Sequence, residues 1–272
     1  MPRIIDNAIC IRHIDWSETS QIVVLLTENF GKIRGIAKGS KRTSPSAINR
    51  FSGGIELLTQ GQVIARTKPT EAMAAITEWD LKNNYHAFRK KLNLHRIAMF
   101  GPDLANALLP DDAPHPNSYH TLIAFLDTLA SLYSSNSNDT QNHITSATAI
   151  FQWLMLNDAG YRPNLIADVK TGEVLPDQET YNFDPIAGGL TLAPINEDWR
   201  VRKKTIATLR ILDEITNKHS ESETPIPQTF KHMHDILVGS DLSTLQRASR
   251  LLCVYIRALL DKQLPTMKFI LE

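Results

Sequence analysis

The sequence predicts an α+β protein: a small closed β-barrel followed by an all-helical domain that carries a small irregular lobe. Three observations predict it. Up to about residue 80 the chain is a series of short apolar or alternating segments joined by turn residues. Beyond Asp80 the apolar residues recur at helical spacing. Between Gly160 and Trp199, Pro163, Gly172, Pro176, Pro185, Gly188, Gly189 and Pro194 forbid one continuous helix. The expected division is a barrel over 1–80 and a helical domain over 81–272, with the lobe at 161–199.

Candidate strands run Asn7–His13, Gln21–Thr27, Lys32–Ala37, Gly54–Leu58, Gln62–Thr67 and Met73–Glu78. Glu28-Asn29-Phe30-Gly31 and Thr59-Gln60-Gly61-Gln62 read as hairpin connections, with glycine free to take positive φ. About five short strands in this length suit a small closed barrel. Helices are expected around Tyr85–Phe100 and Thr205–Asn217. Three apolar stripes mark further helices: Tyr119, Leu122, Ile123, Leu126, Leu129 and Tyr133; Ile144, Ala147, Phe151, Leu154 and Met155; and Leu245, Ala248, Leu252, Tyr255 and Leu259. Ser134–Asn142 and His219–Pro227 are polar and read as mobile loops.

Composition limits the function. Lys+Arg and Asp+Glu both number 29 in 272 residues, so affinity for a polyanion has to come from local patches. Cys10 and Cys253, the only cysteines, sit among apolar residues; two buried free thiols in a reducing compartment are expected, with a disulfide the alternative. Met1-Pro2-Arg3-Ile4-Ile5-Asp6 does not read as a signal peptide, and no apolar run approaches the roughly 20 residues needed to cross a bilayer. A soluble cytoplasmic protein is the expectation, with no membrane partner.

Gly31 to Arg42 is the segment richest in chemistry. It holds Lys32, Arg34, Lys38, Lys41 and Arg42, no acid, and Gly31, Gly35 and Gly39. The expectation is a flexible phosphate track, extended by Arg50, with Ile33 and Ile36 turned to a core and Phe30 or Phe51 as a stacking platform. A lysine-protected strand edge and two core phenylalanines explain the same residues. The glycine spacing fits neither the ATPase phosphate loop nor the dinucleotide fingerprint. Arg200, Arg202, Lys203 and Lys204 crowd a helix start, where cations oppose the helix dipole, so phosphate or a carboxylate-rich partner is a candidate for that cluster too. Arg247, Arg250 and Arg257 flank an apolar stripe and suit an acidic peptide with apolar ends. His232 and His234 point to different sides of a helix and make a poor metal clamp. Asp111, Asp112 and His115 read as a surface loop rather than a metal-dependent hydrolase. No Gly-x-Ser-x-Gly, His-Glu-x-x-His or carboxylate pair argues for an enzyme. An RNA-binding barrel and a protein–protein adaptor whose basic loop merely solvates an edge remain alternatives at this level.

Several motifs together resemble the bacterial recombination mediator family RecO. They are Ala8-Ile9-Cys10-Ile11-Arg12, Ser17-Glu18-Thr19, Val24-Leu25-Leu26-Thr27, and the run from Gly31 to Ala37-Lys38-Gly39. Gly160-Tyr161-Arg162-Pro163 after an apolar helix and the terminal stretch Leu251 to Leu264 match further on. The resemblance implies an OB-fold barrel followed by a helical domain. It also implies a nucleoid-associated protein that binds single- and double-stranded DNA and anneals complementary strands. The implied partners are RecR and the C-terminal tail of single-strand binding protein, with RecA loaded indirectly; neither catalysis nor a cofactor is implied. Many members of that family hold zinc with four cysteines in the lobe. The matching positions here are Asp168, Thr171, Leu192 and Ile195, and leucine and isoleucine cannot ligate zinc. A metal-free lobe is expected, among the softer parts of the molecule and packed by Leu165, Val174, Leu175, Phe183, Leu190 and Leu192.

Overall fold

A computed structural model describes residues 3–67, 72–111, 113–134 and 139–271. Five strands form a closed barrel: β1 (Arg3–Asp15), β2 (Gln21–Thr27), β3 (Gly31–Ala37), β4 (Gln60–Arg66) and β5 (Ala74–Asn83), in the order β1-β2-β3-β5-β4. All neighbours are antiparallel except β3 and β5, which run parallel through Gly35↔Ala74 and Ala37↔Ile76. A bulge between Cys10 and Arg12 bends β1 between its two partners. The interior is filled by Ile4, Ala8, Cys10, Val23, Leu25, Ile33, Ala37, Val63, Ala65, Ala74, Ile76 and Trp79, together with Phe51 and Ile55.

Phe51 ends α1 (Pro45–Phe51), a short helix opened by proline at its first position and closed by Ser52 at φ 51°. The expected strand at Gly54–Leu58 does not form. Gly53 (φ 88°), Gly54 (φ 127°) and Leu58 (φ 61°) break the extended backbone. Ile55 instead exchanges both its backbone bonds with the amide of Gln21. Alternation also corrects the reading of β3. Ile33 and Ala37 face the core, so Ile36, three positions from Ile33, lies on the other face with Lys32 and Arg34.

The expected helix at Tyr85–Phe100 is two short ones, α2 (His86–Lys90) and α3 (Leu92–Ala98), because Tyr85 (φ 44°) and Lys91 (φ −121°, ψ 106°) leave helical geometry. They are followed by α4 (Phe100–Leu108) and α5 (Pro116–Ser131). The chain divides into two compact units, Met1–Leu126 and Asp127–Glu272.

In the second unit α6 (Thr140–Asp158) is the central helix. Every residue from Ile144 to Leu156 is buried, so the stripe read from sequence is only part of an all-round buried helix. Two of its polar groups are partnered: Trp153 Nε1 donates to Thr216 Oγ1 (3.0 Å) and Gln152 Oε1 accepts from Ser249 Oγ (3.0 Å), whereas Ser146 Oγ and Gln152 Nε2 have no partner among the described residues.

A lobe follows α6. Its strands β6 (Thr180–Asp184), β7 (Gly189–Thr191) and β8 (Arg200–Arg202) form a sheet in the order β7-β6-β8. Leu165, Leu175, Phe183 and Leu190 are buried in it as expected. Val174 (79% exposed) and Leu192 (44%) are not; Tyr181 and Val201 pack in their stead.

The unit is completed by α7 (Lys203–Glu221), α8 (Ile226–Leu237), α9 (Leu242–Leu260) and the terminal turn α10 (Lys268–Leu271). The polar loop expected at His219–Pro227 is shorter, since Pro227 sits in the first turn of α8 rather than breaking it. On α8, His232 stacks on His219 of α7 and His234 lies against His143 of α6, on different sides. Cys10 and Cys253 are free and buried, and burial pushes both thiols up to about 12. Among the described residues no helix is long and apolar enough to cross a membrane.

Gly31 ties the barrel to the α4–α5 connection. It has φ +71°, and a Cβ there would lie 2.1 Å from the carbonyl oxygen of Ala113. Gly31→Ala is expected to cost about 2 kcal/mol or more in urea unfolding. A midpoint equal to wild type would contradict this packing.

Candidate nucleic-acid interface

The cations of the Gly31–Arg42 segment have separate fates. Arg34, Lys38 and Arg42 are exposed, and none makes an ion pair within 4.0 Å among the described residues. Lys32 is a correction to the expected track: its side chain is 6% exposed, pairs with Asp111 (2.9 Å) and donates to the carbonyl of Asn106 (3.0 Å). Lys41 is half-exposed and pairs with Asp15 at 2.7 Å. Arg50 donates two bonds to the carbonyl of Thr77 and lies over the Phe51 ring, so its charge is retained at a fixed position.

The loop after β3 is held in place, contrary to the expectation of flexibility. Gly39 (φ +75°) turns the chain out of the strand. Its N–H donates to Ser20 Oγ (3.2 Å), and the Lys41 N–H donates to the Thr19 carbonyl (3.1 Å). Ser40, fully buried, donates to Gln21 Oε1 at 2.9 Å, and the same oxygen accepts from Ile55 N–H at 3.1 Å. One buried amide therefore joins β2, the basic loop and the segment after α1.

The turn between β1 and β2 lies against this loop and presents Trp16, 64% exposed. Sequence reading missed it. The available signal was a tryptophan in a wholly polar turn, Asp15-Trp16-Ser17-Glu18, with no apolar period to bury it. Of the two phenylalanines, Phe51 is core and Phe30 is 46% exposed at the β2–β3 hairpin, fixed there by Asp6, which accepts from both nitrogens of Asn29. Phe30 and Arg34 line a cleft of about 430 Å³ together with Ile4, Val24, Ile33 and the paired Lys32 and Asp111. Arg3 and Arg66 are directly opposed across β1 and β4 and both exposed, a like-charge pair that favours an external anion.

In the second unit two clusters that the sequence kept apart meet. Arg200 and Arg202 on β8 and Arg247 and Arg250 on α9 line one pocket of about 200 Å³ with Trp199, Val201, Leu251 and Val254. Strand pairing of β8 with Thr180–Asn182 presents alternate arginines beside α9. Trp199 is supported by stacking on Phe183 (centroids 5.9 Å apart). Lys203 is instead paired with Asp177 (2.5 Å), Lys204 is exposed outside the pocket, and Arg257 is exposed two turns beyond Arg250. Asp111 is occupied by Lys32, Asp112 lies outside the described residues, and the described residues hold no group of three metal-ligating side chains.

Comparison with known proteins agrees with this architecture. Residues 1–85 match the family model "Recombination protein O N terminal" and residues 96–268 match "Recombination protein O C terminal". The chain belongs to the RecO family. Proteins named DNA repair protein RecO are similar to it over much of their length. The one from Geobacter metallireducens is 29% identical over 170 residues, 62% of this chain and 64% of that protein. The one from Rhodopirellula baltica is 24% identical over 82% of this chain and 77% of its own. The one from Myxococcus xanthus is 23% identical over 100% and 98%.

The Lys32 geometry yields a test. Lys32→Ala removes a buried donor and is expected to cost about 1–3 kcal/mol of stability. The Lys32 hydrogen bond holds the Asp111 carboxyl below the usual carboxylate range. Its contribution is therefore full above about pH 4 and is lost as pH falls through the depressed value. The stability difference between the two proteins should narrow at low pH to what the Asn106 bond contributes; a difference independent of pH would contradict the pairing.

Proposed function

We propose that this chain is a DNA-binding recombination mediator whose barrel holds nucleic-acid strands by their phosphates. The observation that carries the reading is the set of exposed cations that make no ion pair within 4.0 Å among the described residues, Arg34, Lys38 and Arg42, on β3 and an anchored loop beside exposed Trp16. Arg50 keeps its charge, and Lys41 adds its own when a phosphate replaces Asp15, which holds it at 2.7 Å in the free protein. Cations placed on a rigid strand and loop lose little entropy on meeting phosphates, and they carry no base information. An indole in the adjacent turn offers a face to an unstacked base. Two complementary strands held this way have reduced phosphate repulsion and free base edges, which is what annealing requires. The reading assigns no catalytic step.

The arginine pocket on β8 and α9 is the proposed partner site. Arg200, Arg202, Arg247 and Arg250 around Trp199, Leu251 and Val254 suit an acidic peptide ending in an apolar residue. The C-terminal tail of single-strand binding protein is the proposed occupant, with RecR and, indirectly, RecA completing the loading reaction.

Salt titration of oligothymidine binding tests the barrel. Five phosphate contacts give a log–log slope of roughly −3.5, falling to roughly −1.5 in the Arg34/Lys38/Arg42→Ala variant, at about −0.7 per contact. A slope that does not change in the variant would remove this face from the reading. Trp16→Ala is expected to cost about 1–3 kcal/mol on single strands and nothing on duplex. Arg250→Glu is expected to weaken an acidic, apolar-ended peptide about tenfold without altering oligothymidine affinity.

A further inference from the structure

We propose that the Asp168 carboxylate takes the place of a metal ion in the lobe, as the anionic cross-link that ties its first turn to the exit of β7. The zinc that the family resemblance implies does not fit this chain. Thr171, Leu192 and Ile195 supply no thiolate or imidazole, and the described residues hold no cluster of three ligating side chains.

Three of the four positions nevertheless converge, and they converge on one carboxylate. Asp168 Oδ1 accepts from the backbone N–H of Lys170 (2.7 Å) and Thr171 (3.1 Å). Asp168 Oδ2 accepts from the backbone N–H of Leu192 (2.5 Å) and from Thr191 Oγ1 (3.2 Å). The residue is only 2% exposed. Four donors facing both oxygens leave no place for a donor on the side chain itself, so an ionised carboxylate fits and an amide does not.

The backbone reinforces the same junction. Val169 N–H donates to Leu190 O (2.9 Å), Asp168 N–H to Glu173 O (2.8 Å), and Gly172 N–H back to Asp168 O (2.8 Å). The neighbouring charges are otherwise engaged or outward: Lys170 reaches away to Asp184 (2.9 Å) and Glu173 is exposed. Hydrogen bonds, the one from Leu192 foremost, hold the Asp168 carboxyl below its usual range. The cross-link is therefore intact at neutral pH and released as pH falls through that value.

The consequence is chemical. A zinc–thiolate lobe is lost to chelators and oxidants, whereas this one contains no thiol; Cys10 and Cys253 lie outside it.

Amide exchange followed by NMR on the full chain tests this without reference to DNA or peptide binding. In wild type, EDTA and hydrogen peroxide are expected to leave the Lys170, Thr171 and Leu192 amides unchanged, and metal analysis to find no stoichiometric zinc. Asp168→Asn is expected to accelerate exchange of those amides about tenfold or more. Asp177→Asn, which removes the pair with Lys203 and a hydrogen bond with Tyr181 but none of the Asp168 contacts, should leave them as they are. About one zinc per chain, EDTA sensitivity, or wild-type protection in Asp168→Asn overturns the proposal. Should Asp168→Asn not fold, the carboxyl carbon of Asp168 in wild type is titrated. Ionisation below the ordinary value of about 3.9, in step with the Leu192 amide, supports the cross-link, and ordinary ionisation overturns it.

Discussion

The buried amide of Gln21 is the contact on which the cationic face of the barrel depends. A side chain inside β2 accepts from Ser40 and Ile55 and donates to Ile55. It converts two glycine-bearing connections into fixed parts of the barrel wall. An unsatisfied amide at that depth costs on the order of 1–3 kcal/mol, so the three segments are held together or loosened together. Exposed cations on an unanchored loop would pay ordering entropy on every binding event; here folding has already ordered the backbone that carries Lys38 and Arg42.

Charge in this molecule follows burial rather than sequence adjacency. Lys32 and Arg34 share one face of β3 and border one cleft with Asp111, yet Lys32 is buried in contact with Asp111 and Asn106 while Arg34 is exposed and makes no ion pair within 4.0 Å among the described residues. The reverse holds for the arginines of β8 and α9, which lie far apart in sequence and line one pocket. A neutral chain thus carries two local concentrations of positive charge, one in each compact unit.

Much of the fold was legible in the sequence. β2 falls where its short apolar run placed it, buried on both faces, and β3 starts at the glycine that ends the preceding turn, although Ile36 was read onto the wrong face. The stripes of α5 and α9 were visible from their helical period, although Tyr133 lies past the end of α5 and is 37% exposed, and the α6 stripe is part of a helix buried all round. Gly54–Leu58 was misread because its apolar residues serve a plug, with Ile55 held by a side chain rather than a ladder. α8 was hidden by Thr224-Pro225 and Pro227, which open a helix as readily as they end one. The site was legible in part. The cations of the Gly31–Arg42 segment were evident, but the fate of Lys32 depends on a tertiary contact 74 residues away. Trp16 was passed over because a lone aromatic in a turn has no periodicity to announce it. In the lobe, the missing cysteines were evident, but the carboxylate that replaces them was recognisable only when Leu192 was seen beside it.

The most direct test of the cationic face is an amide-exchange footprint of the full chain with and without oligothymidine. Protection confined to residues 12–20 and 30–44, with residues outside the barrel unaffected, is the result expected if the anchored loop and Trp16 hold the strand. Protection absent from both segments and present around Arg200–Arg202 and Arg247–Arg250 would contradict it.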